Sequence, residues 1–333
     1  MTMSTFELPK GEGKKVCVGG GAGFIGSHLC ELLLQEGVTI LGIDNLTEIN
    51  GEGEQKRRNL ALLLQYPNFE FKKDDIRTTT AISDRKPQQI CHLAGLAGVR
   101  NSLKNPQVYI DVNVKGFVHL MEEAVKNKVQ KVVYASSSSV YGANTKLPFS
   151  ENDAINSCIS PYACSKYAME SFAKMYTQLY GVSCVGLRFF TVYGPRGRVD
   201  MAPYKIIDCL LNNRTFEKFG NGNSTRDYTY VGDIVSGISL ALANSTVKCQ
   251  IFNLGNCKPT TLNDFISVCE SLTRRTLLVT EIESQLGDVP DTAADISAAK
   301  EQLGYEPKVS LKEGLQRMID HLPSTCPRRS ITT

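Results

Sequence analysis

At 333 residues the chain is about twice a ~150-residue domain, which excludes a small binding module and predicts two subdomains or one large two-part fold. Hydrophobic residues make up 42% and charged residues 21%, enough apolar side chain for a sizeable core and too little charge for a disordered solvating chain. Lys plus Arg number 37 against 34 Asp plus Glu, a formal charge of +3, so a nucleic-acid partner is not expected.

Lys15 to Gly19 is a short apolar run broken by glycines, followed by helical spacing of Phe24, Ile25, Leu29, Leu32 and Leu33 that ends at Gly37. Val38 to Ile43 reads as a second strand. Gln89–Leu93 and Lys131–Ala135 read as later ones, separated by stretches long enough for helices. Between Pro106 and Lys128, the residues Val112, Phe117, Leu120, Met121, Ala124 and Val125 keep helical spacing. A second long helix is predicted from Pro161 to Tyr180, with Ser160 as N-cap, Pro161 in the first turn and Gly181 closing it. Beyond residue 190 glycine and proline loosen the pattern, with helices predicted at 204–212, 231–243, 262–273 and 310–321. Strands alternating with helices predict an α/β fold: a Rossmann-like, doubly wound parallel sheet followed by a smaller mixed α/β substrate domain. The expected division is 14–190 and 191–322, with parts of 228–257 returning to the first domain and 323–333 a flexible tail.

Gly20, Gly23 and Gly26 form a GxxGxxG set between the first strand and the first helix, and Asp44 stands at the end of the second strand. Glycines let the backbone approach a pyrophosphate, the helix N-terminus offers N–H groups, and a carboxylate holds the adenosine ribose hydroxyls while repelling a 2′-phosphate. NAD is therefore the expected cofactor, in preference to NADP. Asp75 ends a further strand, where a carboxylate can accept from an adenine amine.

Tyr162 and Lys166 lie four apart, on one face of the predicted helix. A tyrosine is a poor base near neutral pH unless positive charge stabilises its phenolate, and Lys166 can supply that charge. The Ser136–Ser139 run ends a strand at the sheet edge where ligands bind, so its hydroxyls can bridge a sugar hydroxyl and the Tyr162 oxygen, or simply form a polar turn. Histidines at 28, 92, 119 and 321 lack ligand spacing, and no metal is expected.

These residues carry a family resemblance over about residues 14–322. Gly20-Gly21-Ala22-Gly23-Phe24-Ile25-Gly26, His92-Leu93-Ala94-Gly95, Ser136 to Gly142, Tyr162 with Lys166, Leu187 to Pro195, Arg226-Asp227-Tyr228 and Gly287-Asp288-Val289-Pro290 resemble the extended short-chain dehydrogenases/reductases that act on nucleotide sugars, the UDP-glucuronate 4-epimerases above all. The resemblance implies cofactor contacts from Gly20, Gly23, Phe24, Ile25, Gly26, Asp44, Asn45, Asp75, Ile76, Leu93, Ala94, Gly95, Asn113, Ser136, Tyr162 and Lys166. Catalysis falls to Tyr162, Lys166, Ser137 and Ser138. The UDP-sugar falls to Ser137, Ser138, Ser139, Tyr162, Thr191, Arg198, Arg226 and Asp288, with Thr191 and Arg198 around the C6 carboxylate. Related dehydratases carry Asp-Glu where this chain has Ser138-Ser139, and related decarboxylases carry Glu at the second position. Related UDP-glucose 4-epimerases carry Asn in place of Thr191. A neutral UDP-hexose 4-epimerase, a UDP-glucuronate decarboxylase and a non-catalytic NAD-binding scaffold stand as alternatives.

Two departures stand out. Gly19 replaces the usual Thr before the motif and is expected to loosen the phosphate turn, and Thr47 to Gly53 replaces the usual segment after Asp44-Asn45. Lys56-Arg57-Arg58 and Arg328-Arg329 read as solvated surface charge. The eleven cysteines are odd in number, scattered and without a CxxC, which fits a reducing cytoplasm. No leader or membrane-spanning run is read from the sequence, so no membrane partner is expected. The two long helices, 107–127 and 162–180, resemble those through which family members pair, and a homodimer is expected.

Overall fold

A computed structural model describes residues 14–283, 289 and 291–322. Among the described residues twelve strands follow in chain order: β1 Lys15–Gly19, β2 Thr39–Asp44, β3 Phe69–Lys73, β4 Gln89–His92, β5 Lys131–Ser137, β6 Ser183–Phe189, β7 Thr191–Tyr193, β8 Thr215–Phe219, β9 Thr225–Tyr230, β10 Cys249–Leu254, β11 Pro259–Thr261 and β12 Leu278–Ile282.

Seven of them form one parallel sheet in the order β10-β6-β5-β4-β1-β2-β3. The chain winds outward from β1 through β2 to β3, then crosses back to β4 and winds the other way. The reversal lies between β1 and β4, and a ligand crevice opens at the carboxyl ends of such a pair. Gly19 pairs with both Ile43 and His92 there, which brings the glycine turn, Asp44 and Leu93 to one edge.

Alternation along the strands sends side chains into two separate cores. Val16 and Val18 of β1 join Leu29, Leu33, Ile234 and Ile238 on one face. Cys17 between them joins Ile90, Val132, Phe117, Leu120, Met169 and Ala173 on the other. Helices Phe24–Gln35 and Val231–Ala243 cover the first face, and Gly116–Lys126 with Pro161–Tyr180 cover the second. The helix Pro161–Tyr180 starts and stops where its sequence says. Ser160 Oγ accepts from Ala163 N at 3.1 Å, and Gly181, at φ +73°, takes the left-handed turn.

The helical spacing between Pro106 and Lys128 conceals a break. Pro106–Tyr109 is α-helical, Ile110–Lys115 is π-helical, and Gly116–Lys126 is α-helical again. Beyond residue 190, β11-β9-β7 form a small sheet and β12-β8 a two-stranded one, while β10 returns to the edge of the main sheet. Among the described residues no helix is long and apolar enough to cross a membrane, no group of three or more metal-ligating side chains occurs, and ten cysteines are unpaired.

Candidate active site

The carboxyl edge of the main sheet and the smaller sheets enclose a cavity of about 1110 Å³. Its wall begins at the glycine turn. Gly20 has φ +79°, and a side chain there would stand 2.7 Å from Ala94 N; a Cβ on Gly26 would stand 2.0 Å from Gly20 O. Backbone alone fits. Gly23 precedes the helix Phe24–Gln35, whose first turn has no side-chain cap, so its N–H groups are left to a ligand. The turn after Gly19 is closed by its own backbone: Gly20 N donates to Ile43 O at 2.7 Å and Gly23 N to Gly20 O at 3.0 Å. The missing side chain leaves its mark elsewhere. A Cβ on Gly19 would lie 3.3 Å from His92 Nδ1, and both ring nitrogens of this buried histidine lack a partner.

Asp44 is buried. Its Oδ1 accepts from Leu46 N at 2.9 Å and from Lys56 Nζ at 3.0 Å, whereas Oδ2 has no partner. This corrects the reading of Lys56 as solvated charge: the helix Gly53–Leu63 turns Lys56 inward, leaving 12% of its side chain exposed, while Arg57 and Arg58 stay outside. Asn45 donates to Asp75 at 3.0 Å, and Arg77 holds the Asp75 carboxyl well below the usual carboxylate range. Ile76, Leu93, Ala94 and Gly95 continue the wall. An uncapped helix N-terminus, a backbone-only turn and an orphaned buried carboxylate oxygen fit a dinucleotide.

Two residues expected at the cofactor have side chains engaged by other groups of the protein. Asn113 stands behind the wall, in the π-helical turn. Its Oδ1 accepts from Leu96 N at 2.8 Å and its Nδ2 donates to Leu96 O and Ser165 Oγ at 3.0 and 2.9 Å, so it braces the loop after β4. Ser136 reaches the cavity, but its hydroxyl donates to Glu170 Oε1 at 2.5 Å. Glu170 in turn holds Arg188 through two hydrogen bonds of 2.9 and 2.8 Å. Strand alternation points Ser136 to this buried pair and Ser137 to the cavity.

Ser137 ends β5, and Ser138–Tyr141 form a 3-10 turn, so the serine run is both strand end and turn. Ser137 Oγ lies 3.1 Å from Ser139 Oγ and accepts from Ser139 N at 3.2 Å. Tyr162 and Lys166 are both buried and both line the cavity. Burial pushes the Tyr162 phenol up, opposed by a hydrogen bond with Ser137 and by the charge of Arg198. Lys166 Nζ donates to Ala135 O at 2.8 Å, and burial pushes this ammonium down to about 8.

The opposite wall carries Thr191, Arg198 and Arg226. Arg198 is largely enclosed, paired with Asp200 at 2.7 Å and with Glu52 at 3.2 Å. Sequence reasoning passed over Glu52 and Asp200: Asp200 stands only two residues from Arg198, while Glu52 meets it across the fold. Asp288 lies outside the described residues, as do most of its motif and the 323–333 tail.

Comparison with known proteins agrees with this geometry. The profile of the NAD dependent epimerase/dehydratase family matches residues 16–255. UDP-glucuronate 4-epimerase 2 of Arabidopsis thaliana is 38% identical over 330 residues, covering 92% of this chain and 75% of its own. The crystal structure of UDP-glucuronic acid 4-epimerase from Bacillus cereus in complex with UDP-glucuronic acid and NAD superposes with a TM-score of 0.88 at 34% identity, over 92% of this chain and 98% of that one. A UDP-glucose 4-epimerase of Thermotoga maritima with UDP-glucose reaches 0.84 at 32% identity, over 92% and 98%. With a family match over most of its length and a glycine turn, acid and Tyr-Lys pair gathered at one sheet edge, the chain belongs to the NAD dependent epimerase/dehydratase family.

Proposed function

We propose that the protein epimerises UDP-glucuronate at C4 to UDP-galacturonate through a transient 4-keto sugar, retaining NAD and regenerating it in each cycle. The observation that carries this reading is Arg198, a guanidinium sunk into the cavity that holds Tyr162 and Ser137. A buried guanidinium is a strong ligand for a sugar carboxylate and has little to offer a neutral hydroxymethyl group. The Bacillus cereus relative crystallised with UDP-glucuronic acid and NAD points the same way.

NAD, when bound, supplies the acceptor and then the donor of the C4 hydride. The glycine turn and the N–H groups of Phe24, Ile25 and Gly26 take its pyrophosphate, Asp44 Oδ2 its ribose, and Asp75 its adenine amine. Tyr162 takes the C4 hydroxyl proton and later returns it, with Ser137 hydrogen-bonding the same oxygen and Ser138 assisting. Lys166 holds the nicotinamide ribose and keeps positive charge on that side of Tyr162. The keto sugar is a β-keto acid, which loses carbon dioxide when its carboxylate stands orthogonal to the ring carbonyl. Thr191 and Arg198 restrain that carboxylate while the ring turns, and Arg226 takes the diphosphate. Ser138 and Ser139 stand where an eliminating enzyme needs an acid and a base.

In this reading residues 14–190, joined by parts of 228–257, hold the cofactor, and 191–322 hold the nucleotide sugar. Val108, Ile110, Tyr167, Leu179 and Tyr180 are exposed on the two long helices, which supports a homodimer paired through them. Ten unpaired cysteines support a cytoplasmic site of action. Turnover of UDP-glucuronate deuterated at C4 tests the chemistry. The label should remain at C4 of UDP-galacturonate; its loss to solvent contradicts hydride return.

A further inference from the structure

Arg198 reaches the cavity already engaged. Asp200 accepts from its Nε and Nη2 at 3.0 and 2.7 Å, and Ala97 O accepts from Nη2 at 3.2 Å. Glu52 Oε1 lies 3.2 Å from the same Nε. The two acids are held differently. Asp200 sits two residues along the chain and grips two nitrogens, which fixes the guanidinium plane. Glu52 comes from elsewhere in the fold, the link between the 3-10 turn Ile49–Gly51 and the helix Gly53–Leu63.

The local charge balance is then unfavourable to an acidic ligand. One guanidinium faces two carboxylates, Lys56 and Asp44 behind Glu52 form a balanced pair, and Tyr109 nearby is neutral. A sugar carboxylate arriving at Arg198 brings a third negative charge, and like charges brought together in an enclosed site repel strongly. A neutral hexose meets no such cost.

We propose that Glu52 is a specificity-determining residue: it competes with the sugar carboxylate for Arg198, and an acidic UDP-sugar binds with uptake of one proton by Glu52, whereas a neutral UDP-hexose does not. The proton comes from solvent and rests on a Glu52 oxygen, so the side chain can release Arg198 without moving the backbone. The inference rests on the reading of the site as one for UDP-glucuronate. It gains support from Glu52 itself, whose acid is pushed up by burial and by Asp200 and Asp44, against the pull of Arg198 and Lys56.

The test compares wild type with Glu52→Gln, binding and turning over UDP-glucuronate and UDP-glucose from about pH 5.5 to about pH 8.5, a window above the ordinary carboxylate range. Calorimetry in two buffers of different ionisation enthalpy counts the protons. Wild type should lose UDP-glucuronate affinity by about tenfold per pH unit above the pKa of Glu52 in the free enzyme, as one linked proton requires, and should take up a proton at the upper end of the window. Glu52→Gln should bind UDP-glucuronate tightly throughout with no proton uptake, the change appearing in KM, while UDP-glucose binding stays level in both proteins. An unchanged pH profile in Glu52→Gln, or an equal shift for UDP-glucose, overturns the proposal. If wild type binds UDP-glucuronate without converting it, the functional reading fails and the proton count still judges Glu52; if it does not bind at all, both fall.

Discussion

Lys56 holds Asp44 by one oxygen and leaves the other bare, with Nζ 3.0 Å from Oδ1 and Oδ2 buried without a partner. An unsatisfied buried acceptor costs about 1–3 kcal/mol, which a ribose hydroxyl offsets. Asp44→Asn should therefore retain NAD at least about tenfold less well, and Lys56, released from its partner, should narrow the preference for NAD over NADP. Cofactor content after gel filtration, read after acid release, checks this. Retention equal to wild type would remove Asp44 from the cofactor site.

Tyr162 acts as a base only as phenolate, so activity rises with pH through its pKa. Burial raises that pKa; Ser137 and Arg198 lower it. Ser137→Ala and Arg198→Gln each remove a group that favours the anion, so the rising limb of kcat against pH should move to higher pH in both. Tyr162→Phe removes the base itself and should cost about 10²–10⁴-fold in turnover, with bound NAD retained. A limb that moves downward in either variant contradicts the assignment.

Glu170 and Arg188 are an ion pair with 3% and 4% of their side chains exposed, and Ser136 adds a third hydrogen bond. Breaking such a pair leaves a buried charge uncompensated. Glu170→Ala should cost about 3–5 kcal/mol in urea unfolding. A double replacement by apolar residues should recover much of that loss, because neither charge then has to be buried.

His92 is buried neutral, its pKa pushed down to about 3 by burial first and by Lys166 second. The unfolded chain protonates it near pH 6.5, the ordinary value of a free imidazole. Its contribution to stability is thus complete above pH 6.5 and declines as pH falls toward about 3. Gly19→Ser brings a hydroxyl beside Nδ1 and should stabilise the fold by about 1 kcal/mol, read as a raised Tm at neutral pH. A lowered Tm would mean that the neighbours at 3.3–3.8 Å do not yield.

Local signals made much of this molecule legible. The Ser160 cap, Pro161 and Gly181 mark both ends of one helix, and the glycine set with Asp44 marks a turn whose shape only glycine allows. What stayed hidden depends on partners distant in sequence. Helical spacing does not distinguish an α-turn from the π-turn that aims Asn113 at Leu96, since apolar positions barely change. Strand alternation separates Ser136 from Ser137, yet only the sheet shows that Glu170 waits on the far side. Lys56 reads as one of three surface charges until the helix register turns it toward Asp44, and Glu52 has no local mark at all.

Proton NMR of the purified protein with UDP-glucuronate, and separately with UDP-glucose, each without added NAD, tests the central claim most directly. The account predicts UDP-galacturonate from the acid, with little turnover of UDP-glucose. A pentose product would mean that Thr191 and Arg198 fail to restrain the carboxylate, and turnover of UDP-glucose alone would contradict the account.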